Sequence, residues 1–337
     1  MHSLADLAYV RKARILFPGV LTSLTVAFAA KFLSEHYGAP VMLMALLLGM
    51  AFNFLVEDGG ACVAGIEFSS KVLLRIGVAL LGLGITVQQI ASTGSEVLLI
   101  TLCGVGLTIA MGLGLSRLLG HGPRFGLLIG GAVAICGASA ALAISSVLPK
   151  SETLERDTIF TVIGVTALST LAMIVYPLIA DALDLSAVAT GIFLGATIHD
   201  VAQVVGAGYS VSELTGDTAT FVKLLRVALL VPLIVILSLV FSGSREAGTK
   251  RALPIPFFVI GFAALVIAGS YDAIPELVKD TLLSFSRWCL VVAIAALGMK
   301  TSLRKLGDVG GSAIVLICAL TGILAVFALT AIKINLN

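Results

Sequence analysis

Charge is what this chain has least of. Charged residues make up 12% of its 337 positions, against roughly 25% in soluble domains, and so few ionic groups exclude an ordinary soluble surface. The net charge is only +2, too small to argue for a nucleic-acid partner. Five cysteines (Cys62, Cys103, Cys136, Cys289, Cys318) fall in apolar segments without the paired spacing of a zinc site or a secreted disulfide framework. HExxH, paired-aspartate and nucleophile-elbow motifs are missing, which argues against an intramembrane enzyme. No charged ring or filter repeat suggests a channel. No cofactor or metal is expected.

What is present is apolar length. Hydrophobic residues make up 59% of the chain and the mean hydropathy is +1.12. Apolar runs predict about eleven membrane spans, at 15–33, 40–55, 72–90, 97–119, 125–148, 159–180, 187–205, 221–241, 255–269, 282–299 and 313–332. The segment 59–68 reads as a re-entrant or interfacial piece, giving a range of ten to twelve. The expected fold is an all-α integral membrane protein forming one polytopic domain over 1–337. Arg11, Lys12 and Arg14 ahead of the first run imitate a secretory signal, but an uncleaved first span fits the same layout.

Basic residues predict the orientation. With the amino terminus cytoplasmic, the inside receives Arg11, Lys12, Arg14, Lys71, Arg117, Arg124, Arg245, Lys250, Arg251, Lys300, Arg304 and Lys305. The outside receives chiefly Lys31, Lys150, Arg156, Lys279 and Lys333. The loop holding Lys150 and Arg156 is on the wrong side in this scheme, unless Glu152 and Glu155 neutralise it or a span has been miscounted. An echo between 79–86 and 293–300 joins two spans of opposite direction, as an inverted repeat requires. A second echo, Gly131-Ala132 with Gly195-Ala196, joins spans that run the same way in this topology and so does not belong to the same inversion.

Three stretches hold candidate site residues. In the first, Gly130 to Ala141, small residues surround Cys136, Gly137, Ala138 and Ser139. They suit either close helix packing or a helix break whose freed amides attract an anion. In the second, His199 and Asp200 lie more than ten residues into an apolar segment, with Thr197 and Gln203 beside them. Ionisable groups at membrane depth are costly and point to function, here proton or cation coupling; a solvated helix end is the alternative. In the third, Lys223 and Arg226 share one helical face. They suit an oxyanion substrate, with an Arg226–Asp200 salt bridge as the competing reading.

The stretches Gly137-Ala138-Ser139-Ala140, Ile198-His199-Asp200-Val201-Ala202-Gln203-Val204-Val205-Gly206-Ala207 and Val222-Lys223-Leu224-Leu225-Arg226-Val227, followed by Pro232, resemble the YeiH-like family of bacterial inner-membrane sulfate exporters. The resemblance spans nearly the whole chain. It implies a multi-pass secondary transporter related to the bile acid symporter and cation/proton antiporter fold, with two inverted repeats and crossing discontinuous helices. The expected function is export or exchange of a small oxyanion by proton-coupled alternating access. Arg226, Lys223, Cys136, Gly137, Ala138, Ser139, His199 and Gln203 are the expected substrate residues, and Asp200 and His199 the coupling residues. A sodium-coupled symporter of an organic solute is the alternative. The expected partners are a small anionic solute, a proton or sodium ion and the lipid bilayer. Gly104, Gly106, Gly112 and Gly114 offer a face for a homodimer or for internal packing.

Overall fold

The computed structural model describes residues 2–57, 59–88, 94–241, 257–271, 274–301 and 311–335. Arg245, Lys250, Arg251, Arg304 and Lys305, which enter the orientation argument, lie outside the described residues. Among those described there is helix and no strand. Six helices are long and apolar enough to cross a membrane: Ala13–Tyr37, Glu96–Leu118, Leu154–Ala182, Glu213–Val240, Glu276–Lys300 and Gly311–Ile334. Shorter apolar helices accompany them. The chain divides into two compact units.

The first unit comprises residues 1–87 and 261–302. It holds α1 (His2–Tyr37), α2 (Val41–Ala51), α3 (Phe54–Glu57), α4 (Val63–Phe68) and α5 (Leu74–Leu81). The segment at 59–68 is not a separate re-entrant piece. A π-turn over Ser69–Leu73 joins α4 to α5, and the helix continues to a 3₁₀ turn at Gly82–Gly84. Missing side chains set the packing of this unit. A Cβ on Gly19 would strike the backbone of Cys62, the residue that precedes α4, and one on Gly49 of α2 would strike Ala295, which lies in the long helix Glu276–Lys300. That helix runs antiparallel to α5, with Ser286 Oγ donating to Gly77 O at 2.7 Å and Leu283 beside Gly84.

The second unit comprises residues 88–260 and 303–337. Its helices are α6 (Gly94–Leu118), α7 (Pro123–Ala134), α8 (Ala138–Val147), α9 (Leu154–Ala182), α10 (Ala187–Thr197), α11 (Val201–Val211), α12 (Glu213–Ala228) and α13 (Leu230–Val240). α14 (Phe257–Ser270) and α15 (Glu276–Lys300) follow, α15 in the first unit, and α16 (Gly311–Asn335) completes the second.

Neither 125–148 nor 187–205 is a single span. In each, two half-helices fold back on one another. Gly131 of α7 and Ile144 of α8 stand thirteen residues apart, which a straight helix would place about 20 Å apart. Yet a Cβ on Gly131 would collide with the Ile144 side chain. Likewise a Cβ on Gly191 of α10 would lie 2.9 Å from Thr215 O, and one on Gly208 of α11 would lie 3.2 Å from the same atom. Both pairs are re-entrant hairpins.

The hairpins enter from opposite ends of α9. This helix has 29 residues, about 43 Å at 1.5 Å per residue, enough to cross the roughly 30 Å hydrocarbon core. The first hairpin ends just before its start and the second begins just after its finish. Each half-helix has 10 to 12 residues, about 15–18 Å, and the second tip meets α9 at Ser169, near the middle of that helix. Both segments are discontinuous as expected, but each reverses instead of crossing.

Candidate functional site

Local chemistry explains why the helices stop where the tips meet. At the end of α7 the Gly137 N–H donates to Ala132 O at 2.9 Å, a six-residue closure of the kind that terminates helices. Gly137 has φ +59°, a value that favours glycine over residues with a Cβ. The chain then reverses into α8. In the second tip, Ile198 and Asp200 are extended, and α11 starts after Asp200.

Ending two helices in the middle of a lipid-embedded protein strands carbonyls at α7 and α10 and amides at α8 and α11. Lys223 and Arg226, both buried on α12, take the carbonyls. Arg226 Nε donates to Ala134 O at 2.9 Å, and Nη2 donates to Val133 O at 2.8 Å and Ala134 O at 2.6 Å. On the other hairpin, Nη1 donates to Gly195 O at 3.1 Å and Ile198 O at 3.2 Å. Lys223 Nζ donates to Ile135 O at 2.6 Å, to Ile198 O at 3.0 Å and to His199 O. One guanidinium and one ammonium therefore tie both tips together. Neither forms an ion pair with Asp200, so the Arg226–Asp200 salt bridge of the competing reading is not made.

Asp200 serves one amide end. It occupies the N-cap position of α11 but forms no cap with its own helix. Instead Oδ1 accepts from Ala138 N–H, the first amide of α8, at 3.4 Å, so this carboxylate caps the opposite hairpin. The missing side chain of Gly137 leaves room for it: a Cβ there would collide with Asp200 Oδ1. The Asp200 backbone N–H donates to Ser169 Oγ of α9 at 3.0 Å. Asp200 is half-buried and Ser139, two residues beyond Gly137, is exposed. Each helix end contributes about half a unit of charge. The two amide ends offset the two carbonyl ends, and the two cations exceed the single carboxylate by about one positive charge.

His199 and Gln203 are fully buried. His199 Nε2 lies 2.9 Å from Thr321 Oγ1 on α16. That hydroxyl already donates to Ile317 O at 2.7 Å, so it accepts from His199, and the imidazole proton is on Nε2. Gln203 Nε2 donates to Thr170 Oγ1 at 3.4 Å. Gln203 Oε1 and His199 Nδ1 have no hydrogen-bond partner among the described residues. Cys136, in the first tip, is buried.

All nine residues singled out from sequence gather at the two tips or on the α12 face behind them. Sequence reasoning missed Ser169, Thr170 and Thr321. The first two had a readable signal, since Thr166, Ser169 and Thr170 recur at helical spacing in the middle of an apolar run, on one face of α9.

Known proteins resemble this chain over nearly its whole length. Residues 18–319 match the family described as Conserved hypothetical protein 698. A UPF0324 membrane protein of Chlorobaculum tepidum is 55% identical over 330 residues, covering 97% of this chain and 92% of the relative. The UPF0324 membrane protein TauZ of Paracoccus pantotrophus is 53% identical over 314 residues, covering 92% and 93%. A UPF0324 membrane protein of Bacillus cereus is 33% identical over 303 residues, covering 88% and 85%. With a family match across both hairpins and relatives of this identity and coverage, the chain belongs to the YeiH-like UPF0324 family of multi-pass membrane proteins.

Proposed function

We propose that this protein is a secondary active transporter of the bacterial inner membrane that exports or exchanges a small oxyanion, sulfate or a sulfonate, by proton-coupled alternating access. One observation carries the reading: four half-helix ends, two buried cations and one carboxylate converge near mid-depth. Broken helices that meet at the bilayer midplane are how secondary transporters build ion and substrate sites. An anion binds at the amide ends of α8 and α11, against Ala138, Ser139 and the backbone at Cys136 and Gly137, with Gln203 and His199 alongside. Lys223 and Arg226 supply the positive field from behind the tips, their donors held by carbonyls. Asp200 holds the coupled proton.

The hairpins also support an inverted repeat. α7 runs from one base to the centre and α10 from the opposite base to the centre, so the echo of Gly131-Ala132 with Gly195-Ala196 joins antiparallel elements. Aligning those pairs matches Ala134 with Ile198 and Ile135 with His199, and these are carbonyls that Arg226 and Lys223 hold. The 79–86 and 293–300 echo joins antiparallel helices within the first unit. A re-entrant first hairpin returns Lys150 and Arg156 to the side of Arg117 and Arg124. That removes the charge conflict and supports a cytoplasmic amino terminus. Gly112 packs on Gly126 and Gly130, whereas Gly106 and Gly114 meet no atom within 4 Å, and we assign these two to a homodimer face.

A thermal-shift screen of purified protein against sulfate, sulfite, thiosulfate, taurine, bile salt and sodium tests the reading, because a ligand of the folded state raises its stability. Stabilisation by one oxyanion supports it. Stabilisation by sodium alone transfers the assignment to a sodium-coupled symporter of an organic solute.

A further inference from the structure

The Asp200 carboxylate sits at the amide end of α8, over Gly137, in the position that an anionic ligand of that helix end would take. It is half-buried, and no cation among the described residues pairs with it; Lys223 and Arg226 donate to backbone carbonyls instead. A second feature marks this place as a ligand site. Gln203 stands three residues after Asp200, on the same face of α11, fully buried and with its Oε1 unpartnered.

From this geometry we infer that Asp200 is an internal stand-in for the transported anion, so that proton and anion bind together. The inference rests on the anion-carrier reading and fixes the sign of its coupling. With Asp200 ionised, its carboxylate holds the Ala138 N–H and repels an incoming oxyanion. A proton taken up on the carboxylate removes that negative charge and frees the helix end. The other titratable groups at the tips are Lys223 and Arg226 from α12, Cys136 in the first tip and His199 beside Asp200. α9 brings the Thr166 hydroxyl to the carboxylate and the Ser169 hydroxyl to the Asp200 backbone N–H. His199 donates from Nε2 to Thr321 and is fully buried, whereas Asp200 is half-buried beside the exposed Ser139, and the exchanged proton is assigned to Asp200. A dianion such as sulfate accompanied by one proton carries one net negative charge, and an inside-negative membrane potential drives that charge outward.

The test is equilibrium binding of sulfate and of methanesulfonate to the purified full chain between pH 5 and 8, for wild type and Asp200→Asn. Wild-type affinity is expected to rise on acidification, by up to about tenfold per pH unit while one proton is taken up. Asp200→Asn is expected to bind at every pH as the wild type does in acid. Weaker wild-type binding in acid, or pH dependence that persists in Asp200→Asn, overturns the inference while leaving the anion reading intact. A folded Asp200→Asn protein that has lost binding does the same, and Asp200→Glu, which keeps the carboxylate, separates that case from damage to the tip. Absence of binding by both proteins at every pH overturns the anion reading and the inference with it.

Discussion

The two hairpin tips are built alike and equipped differently. Each ends a half-helix at mid-depth, and each gives its last carbonyls to Arg226 and Lys223. The first tip, Ile135-Cys136-Gly137, has no charge and closes with a glycine; the second, Ile198-His199-Asp200, holds an imidazole and a carboxylate. The cations are thus shared architecture, and the imidazole and carboxylate belong to one tip, which uses the bareness of the other as its docking place. Identical backbone tasks in the two hairpins leave a small set of side chains to decide what the site does.

Breaking the shared part should have the largest effect. Arg226→Ala removes five donor contacts and leaves carbonyls of both tips unpartnered. At about 1.5–3 kcal/mol for a hydrogen bond to a charged group, the loss should be at least ~3 kcal/mol, read as a fall in Tm together with loss of the oxyanion shift. Arg226→Lys should not restore it, because an ammonium lacks the fork that spans both tips.

Altering how one tip uses the other comes next. Gly137→Ala places a methyl group against Asp200 and strains a backbone at φ +59° and ψ −121°, at a cost of about 1–3 kcal/mol, and should reduce vesicle uptake of sulfate at least tenfold. Protein that folds and transports normally with alanine there would break the docking argument. Thr321→Val should have a smaller effect, about 1 kcal/mol for one hydrogen bond, with the pH dependence of binding unchanged. A pH profile displaced by Thr321→Val would bring His199 into the coupling. Cys136→Ser should be the mildest: Tm within about 1 kcal/mol of wild type and uptake retained.

Much of this site was legible in the sequence because lipid makes polarity conspicuous. Gly137, His199, Asp200, Lys223 and Arg226 stand out in apolar runs, and each lies at a tip or directly behind one. The reversal of the two hairpins was not legible. Two half-helices of 12 and 10 residues joined by three have the apolar length of one span, and hydropathy does not distinguish a crossing from a return. Under the proposed cytoplasmic amino terminus, the charges of Lys150 and Arg156 are the one electrostatic sign of the return. The engagement of Lys223 and Arg226 by carbonyls was also hidden, since it depends on helix ends supplied by distant parts of the chain. In the first unit, the π-turn at Ser69–Leu73 joined a segment at 59–68 that apolar length alone had set apart.

The glycines along the second hairpin bear on how the site opens. Gly191, Gly195 and Gly208 seat α10 and α11 directly on α12, and Gly216 of α12 lies against the Tyr209 ring. Tyr209 Oη also donates to Asp217 Oδ1 at 2.5 Å at the hairpin base. Lifting this hairpin as a flap would separate backbones already in van der Waals contact and would pull the Ile198 and His199 carbonyls from their cations. Hairpin and helix therefore form one mechanical part, and exposing the site first to one compartment and then to the other calls for that part to travel whole, with its charges still fastened.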